Sequence, residues 1–372
     1  MLVTFVTGSI HAFSVFLVPL ETLLQAPRAK ISLIYSFALI FLTVSVLFGY
    51  LVYGRIRPAI MIILACLGAG TGLIVSAQAT NWWTLFWGYS LLFGITNGFA
   101  YGYVLQLVGR ALSDSKGFAM AAVTAAYAVG SVIFSLILAL LVEEHSLGYA
   151  FIVMAVIIII CGVISGGMMK ACGVSYTSPD SILEKKEVVT PSTVVLLWLA
   201  YGCSVFAGLM AIGHAAGIVQ TLGGQYSQAI WGSVFIGIGS AMGGFYIGWV
   251  ITRENMRAYL LGLPLFSAVF LGVLVFISQP TIAIVVLSLI GFAYGALIAV
   301  YPYTISVYFG DESGPKIYGR VFTAWGFAGL AGPWSAGQLF DQTGYYAPAL
   351  AIASIIAVMS TVIVYITDQR LR

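Results

Sequence analysis

The sequence is poor in charge. Asp, Glu, Lys and Arg make up 7% of its 372 residues, whereas 61% of the residues are apolar. A soluble domain carries about 25% charged residues, so this composition excludes an ordinary soluble protein. A charge at the centre of a bilayer costs about 2.5–3.5 kcal/mol. A chain that keeps its charges this scarce is therefore expected to lie in a membrane.

Reactive and metal-binding residues are also scarce. The four cysteines and three histidines show no paired spacing, so the sequence predicts neither a metal site nor a disulfide framework. The apolar stretches contain no nucleotide-binding loop, carboxylate pair or nucleophile–base set. We therefore expect no enzyme activity, no cofactor and no metal. The net charge of +3 is no evidence for a nucleic-acid partner, because the basic residues cluster at membrane edges.

Long apolar runs dominate the chain instead. Twelve of them reach the roughly 20 residues that cross a bilayer as a helix. The predicted fold class is an all-α membrane protein with 12 transmembrane helices. The runs cover 2–20, 31–52, 58–77, 82–108, 117–142, 149–170, 193–220, 228–251, 258–278, 281–307, 320–340 and 346–367.

The longest polar stretch, 171–192, divides six runs from six. We interpret it as a cytoplasmic linker between an N-terminal six-helix bundle (1–170) and a C-terminal one (193–372). Six plus six suggests two pseudo-symmetric halves related by an axis along the membrane normal. A short internal similarity supports this symmetry, because overlaying 9–15 on 212–218 places His11 on His214.

Basic residues fix the predicted orientation, since cytoplasmic loops are enriched in Lys and Arg. Only Arg28 and Lys30 lie in an outer gap, and both termini are then cytoplasmic. The first run lacks the basic region and cleavage site of a signal peptide, and its short polar lead leaves a start further upstream open. The expected location is a bacterial or archaeal cell membrane, with the protein a monomer. The cytoplasmic group is Arg55, Arg57, Arg110, Lys116, Lys170, Lys185, Lys186, Arg253, Arg257, Lys316, Arg320, Arg370 and Arg372.

Several segments resemble one known family. Residues 318–345, with their repeated glycines, closely resemble the eleventh helix of the oxalate/formate antiporter family. That family is a branch of the major facilitator superfamily near the monocarboxylate porters. Residues 8–21 resemble its first helix and 207–214 its seventh. The resemblance implies the superfamily's two six-helix halves and a secondary transporter that works by alternating access.

The departures from this family bear on the substrate. The family's dicarboxylate carriers have a lysine where this chain has Trp325 and an arginine where it has Gly244. The resemblance implies that those two cations hold the carboxylates of a dianion, so their loss argues against oxalate. The superfamily's loop signatures are also altered, with Tyr53 and Thr252 at the usual acidic positions.

His11 and His214 are the first candidate site residues. Histidine titrates near neutral pH, and an ionisable group inside a span is a functional candidate. One interpretation is that they contact the substrate or a coupling proton. The alternative is that each is a neutral histidine, bonded to a hydroxyl or carbonyl of a neighbouring helix.

Trp325 is the second candidate, either as a flat wall that stacks on the substrate or as simple packing. The charged groups on the outer face, including Glu21, Arg28 and Asp341, are expected to be solvated. The remaining candidate substrate-binding residues are polar or aromatic, or line the expected cavity: Asn97, Tyr101, Tyr127, Trp231, Gly244 and Tyr294.

The sequence thus favours a secondary transporter for a small organic solute. A monocarboxylate carried with a proton, or a neutral or aromatic compound, suits a cavity with histidines and no fixed cation. The altered loop signatures leave an alternative, a transporter-like sensor or assembly protein that moves no solute.

Overall fold

The computed structural model describes residues 1–112, 116–176 and 191–371, and every regular element in these ranges is helical. Ten helices are long and apolar enough to cross a bilayer, and a bent pair at the N-terminus makes eleven. The helices are α1 (Leu2–Thr7), α2 (Leu17–Leu24), α3 (Arg28–Tyr53), α4 (Pro58–Ala77), α5 (Trp82–Leu85), α6 (Gly94–Ala111), α7 (Lys116–Glu144), α8 (Leu147–Ala171), α9 (Pro191–Thr221), α10 (Tyr226–Val250), α11 (Met256–Val275), α12 (Pro280–Thr343) and α13 (Ala347–Leu371).

The first crossing is irregular. A 3₁₀ segment, Gly8–Val15, follows α1, and α2 leaves it at an angle of 60°. Gly8 packs against the backbone of Tyr127, and Gly130 packs against the backbone of Phe5, so a Cβ at either glycine would collide with its neighbour. This close approach of the first crossing to α7 places His11 beside Tyr127. A 3₁₀ stretch within a longer helix often marks a functional site.

The fourth crossing also departs from regular α-helix. A π-helical stretch, Phe86–Phe93, joins α5 to α6. Gly88 packs against α4 at this point, close to Ser76 and to the backbone of Gly72. The two glycines let the crossing approach α4 closely, as small residues do between membrane helices.

Helix α12 accounts for two crossings. Trp325 Nε1–H donates to Tyr294 Oη at 3.0 Å although 31 positions separate the two residues, so the chain folds back between them. Both ends of α12 lie at the same end of the molecule, because Thr281 accepts from Gln228 and Asp341 accepts from Arg28. Its second arm contains the predicted crossing 320–340, which is not among the ten or eleven helices counted above. That arm is rich in glycine, which lowers its hydropathy.

The halves meet along two helix pairs. Helix α3 packs on the second arm of α12, where Gly326 contacts Thr43 and Gly337 contacts Ala29. Helix α7 packs on α10, where Gly237 contacts Val132. The predicted linker 171–192 falls mostly outside the described residues; α8 ends at Ala171 and α9 begins at Pro191.

Candidate functional site

A cavity lies between the two halves, at mid-depth and toward the end that carries Arg110. Its volume is about 50 Å³, several times the roughly 10–15 Å³ that one water needs. Its walls come from both halves. The lining residues are His11, Leu42, Tyr101, Thr124, Tyr127, Ala128, Ser131, Ile212, Ile236, Gly237, Ser240, Gly244, Tyr294, Gly295, Ile298, Phe322 and Trp325.

His11 stands at the inner end of an aromatic cluster. Its Nδ1 lies 2.6 Å from Tyr35 Oη. Its ring is edge-on to those of Tyr127, Tyr294 and Trp325, with centroids 5.5, 6.5 and 6.2 Å away. Its Nε2 has no hydrogen-bond partner among the described residues and belongs to a side chain that lines the cavity. His11 therefore offers one free ring nitrogen to a ligand.

Trp325 and Tyr294 form one wall. The Trp325 indole N–H donates to Tyr294 Oη, and the Trp325 ring stacks on Phe322 with centroids 5.2 Å apart and planes 10° from parallel. The indole N–H is therefore occupied, and Trp325 presents a flat face. The hydroxyl hydrogen of Tyr294 has no acceptor in the described part of the chain.

Asn97 supports the opposite wall from behind. It is fully buried and does not line the cavity. Its Oδ1 accepts from Tyr127 Oη at 2.8 Å, and its Nδ2 donates to the Thr7 carbonyl at 2.7 Å. Asn97 thus fixes the position of Tyr127 and ties α6 to the first crossing.

Glycine at position 244 keeps this part of the cavity open. A Cβ there would have only the Gly295 carbonyl within reach, at 3.6 Å. Gly244 and Trp325, the two positions where the resemblance implies cations, both line the cavity. The lining set, drawn from the described residues, includes no Lys, Arg, Asp or Glu.

His214 lies outside the cavity. Its Nε2 is 2.8 Å from the Pro333 carbonyl, so Nε2–H donates there, and Nδ1 accepts from Tyr346 Oη at 2.9 Å. Both ring nitrogens are engaged with neighbouring helices. The structure thus gives His214 the arrangement expected of a neutral histidine between helices, and the overlay of His11 on His214 does not place both at one site.

His214 belongs to a network that we call the outer latch, formed by Glu21, Arg28, His214, Asp341 and Tyr346. Arg28 pairs with Glu21 through two nitrogens and donates to Tyr346 Oη at 3.1 Å. The Asp341 carboxylate accepts the backbone N–H groups of Arg28 and Ala29 at 3.0 and 2.9 Å. The latch closes the halves together on one side of the cavity.

The outer latch corrects the expectation of a solvated loop group for Arg28, whereas Asp341 is exposed as expected, although its carboxylate is bonded to the start of α3. Only 8% of Arg28 is exposed, and its guanidinium lies 3.9 Å from the centre of the Phe340 ring. The physical reason is that Pro27, the residue before α3, has no side chain that can cap the helix. The orphan N–H groups of α3 are satisfied by a carboxylate from the other half instead.

The opposite end of the molecule has an aromatic cluster around Tyr53, the position where the resemblance implies an acid. Tyr53 packs edge-on to Tyr103, and Tyr176 stacks on Tyr103 with centroids 5.4 Å apart. Arg110 lies 4.3 Å from the centre of the Tyr176 ring, and Tyr176 donates to Gln106 at 2.8 Å. Ring packing thus surrounds Tyr53, the residue at the usual acidic position.

Comparison with known proteins agrees with this architecture. Residues 1–171 match the Major Facilitator Superfamily profile. Human monocarboxylate transporter 12 is 23% identical over 97% of this chain and 78% of its own length. The chain is therefore similar to proteins of the major facilitator superfamily, with the profile match over residues 1–171.

Other relatives and solved structures are similar to this chain over most of its length. The uncharacterized transporter YhjX of Escherichia coli is 23% identical over 88% of this chain and 83% of its own. The human organic anion transporter MFSD10 superposes with a TM-score of 0.71 at 15% identity, covering 98% of this chain and 97% of its own. The proton:xylose symporter XylE gives 0.72 at 12% identity, covering 98% and 94%. The predicted all-α fold of two helical halves is confirmed, and the relatives and solved structures named here are transporters.

Most of the predicted site residues meet at the cavity. His11, Tyr101, Tyr127, Tyr294, Trp325 and Gly244 line it. Trp231 does not: 47% of it is exposed, because it lies on the side of α10 that faces away from α9 and the partner half. The sequence analysis missed Tyr35, Ser131 and Ser240. The two serines are small polar residues within spans, and that signal could have found them.

Proposed function

We propose that this protein carries a small monocarboxylate, or a neutral solute of similar size, by alternating access. The supporting observation is the cavity between the halves, which has a free histidine nitrogen, several tyrosine hydroxyls and no charged side chain. The relatives of this chain include monocarboxylate transporter 12 from several vertebrates.

The absence of a fixed cation from the lining limits the charge of the substrate. Moving an ion from water to a weakly polar site is expensive unless it is paired. One negative charge can be shared among neutral N–H and O–H donors, whereas a dianion needs the cations that Gly244 and Trp325 replace. We therefore exclude oxalate from the proposed substrates.

A proton gradient is the proposed energy source, with His11 as the proton carrier. A carboxylate beside the ring stabilises the imidazolium form, so a proton can cross with the substrate and the loaded cavity stays neutral. His214 was the second candidate for this role. Since one of its nitrogens is bonded to Tyr346 of the outer latch and the other to the Pro333 carbonyl, we assign it to closure instead.

Uptake into proteoliposomes tests the proposal. An inwardly directed proton gradient should accelerate uptake of labelled propionate by the wild type several-fold above protein-free vesicles. The His11→Gln variant should lose this stimulation while keeping substrate counterflow at equal pH. The matched control is His145→Gln, since His145 is exposed near the end of α7, outside the cavity lining.

Two results would contradict the proposal. Full pH dependence in His11→Gln would remove His11 from proton coupling. Saturable propionate binding without counterflow in the wild type would favour a sensor that moves no solute.

A further inference from the structure

Tyr35 controls which ring nitrogen of His11 carries hydrogen. Tyr35 is 1% exposed, its ring stacks on Phe13 with centroids 5.3 Å apart, and its hydroxyl touches His11 Nδ1. In the described chain this nitrogen is the only partner of the Tyr35 hydroxyl. A buried hydroxyl that cannot donate is costly, so Tyr35 O–H donates and Nδ1 accepts.

The tautomer of His11 decides which hydrogen-bonding group this side chain presents to the cavity. A neutral imidazole has one donor and one acceptor nitrogen, so an accepting Nδ1 leaves the hydrogen on Nε2. Nε2 is the nitrogen without a protein partner. His11 therefore presents an N–H donor, Nε2–H, to the cavity.

Tyr294 provides a second donor, because its hydroxyl oxygen is already an acceptor and its hydroxyl hydrogen is unused. Its oxygen already accepts the indole N–H of Trp325. Its own hydrogen is then directed away from Trp325, and its ring lies edge-on to His11 with centroids 6.5 Å apart. Two donors border one small volume, and the rest of its lining is aromatic, aliphatic or hydroxyl-bearing.

We propose that Tyr35 holds substrate-free His11 in the neutral Nε2–H form, which makes His11 and Tyr294 a paired donor site for the carboxylate or carbonyl oxygens of the substrate. Tyr35 is then a positioning residue that sets specificity without touching the substrate. This inference rests on the proposed function, and it narrows the substrate class to compounds that present hydrogen-bond acceptors.

Nitrogen-15 NMR of protein labelled on the histidine rings tests the tautomer without any transport. The chain has three histidines, and the signal lost in His11→Gln assigns His11. Wild type should show an unprotonated Nδ1 and a protonated Nε2. Tyr35→Phe should show a mixture of both tautomers. Tyr89→Phe is the control, because it removes a buried hydroxyl that donates to the Ile10 carbonyl at 3.2 Å and should leave the His11 signal unchanged.

Binding of two matched probes tests specificity. Tyr35→Phe should weaken propionate about 10-fold, the effect of one hydrogen bond to a charged group. It should change propionamide less than about 2-fold, because an amide can donate or accept and so suits either tautomer.

The outcomes separate this inference from the proposed function. An Nδ1–H tautomer in the wild type overturns the inference whatever the flux, and this measurement decides even if Tyr35→Phe does not fold. Equal losses for both probes in Tyr35→Phe overturn the specificity role. The wild type could show the Nε2–H tautomer and bind propionate, yet give no counterflow. That result would overturn the proposed transport function and leave the inference about Tyr35 intact.

Discussion

At the scale of single residues, adjacent glycines on α10 have opposite surroundings. A Cβ at Gly243 would overlap the backbone carbonyl of Phe292 on α12, whereas a Cβ at Gly244 would make only an ordinary contact with the Gly295 carbonyl, at 3.6 Å. Gly243 allows α10 to pack closely on α12, and Gly244 leaves space in the cavity. Residue type alone does not distinguish the two functions, and only the resemblance to the antiporter family singles out Gly244 in the sequence.

This difference predicts the effect of alanine at each position. Gly243→Ala should lower the free energy of unfolding by about 2–3 kcal/mol, since backbone must shift to admit the methyl group. Gly244→Ala should change it by less than about 0.5 kcal/mol. Thermal unfolding in detergent, followed by the fraction that stays monodisperse, measures both. Equal loss in the two variants would contradict the assigned roles.

At the scale of elements, the outer latch is a helix cap supplied by the opposite half. Asp341 stands at the end of α12 and satisfies the first N–H groups of α3. Each hydrogen bond to a charged group contributes about 1.5–3 kcal/mol. Removing this carboxylate should therefore shift the protein toward a form that is open on the Arg28 side.

Labelling of an introduced thiol measures that shift. Ser32 is 1% exposed and lies beneath the latch, 3.3 Å from His214. In a background without native cysteines, Ser32→Cys should react slowly with a membrane-impermeant maleimide. Adding Asp341→Ala should raise the rate about 10-fold, while Glu144→Ala, an exposed acid near the end of α7, should not change it. An unchanged rate with Asp341→Ala would mean that the cap does not hold the latch closed.

The sequence predicted these elements unevenly. Apolar length alone located the crossings, because a bilayer demands about 20 such residues whatever the contacts. Apolar length could not reveal that the tenth and eleventh predicted crossings belong to one helix, α12, which folds back on itself. Nor could it reveal that the first crossing bends. Nor could it distinguish His11 from His214, since both are lone histidines in spans and only packing decides which nitrogen remains free.

At the scale of the whole molecule, ligand binding across the halves should stabilise the folded protein. A ligand at 100 times its Kd adds about 2.7 kcal/mol. Propionate should therefore raise the apparent Tm, and oxalate at equal ionic strength should not. A larger shift with oxalate would overturn the argument from Gly244 and Trp325.

The predicted orientation can be tested with a native thiol. Cys172 is exposed just beyond α8, on the side assigned to the cytoplasm. In intact cells an impermeant maleimide should leave Cys172 unlabelled and should label it after permeabilisation. His145→Cys, on the other side of α8, should react in intact cells. The reverse pattern would invert the topology.

The outer latch also determines how the opening and closing of the two halves responds to salt. Its one ion pair, Arg28 with Glu21, joins two residues of the same half. When the halves part, the guanidinium keeps its counter-charge, and the bonds that break are those to Tyr346 and from the α3 amides to Asp341. Screening by salt acts mainly on separated full charges. The turnover rate should accordingly be nearly independent of ionic strength.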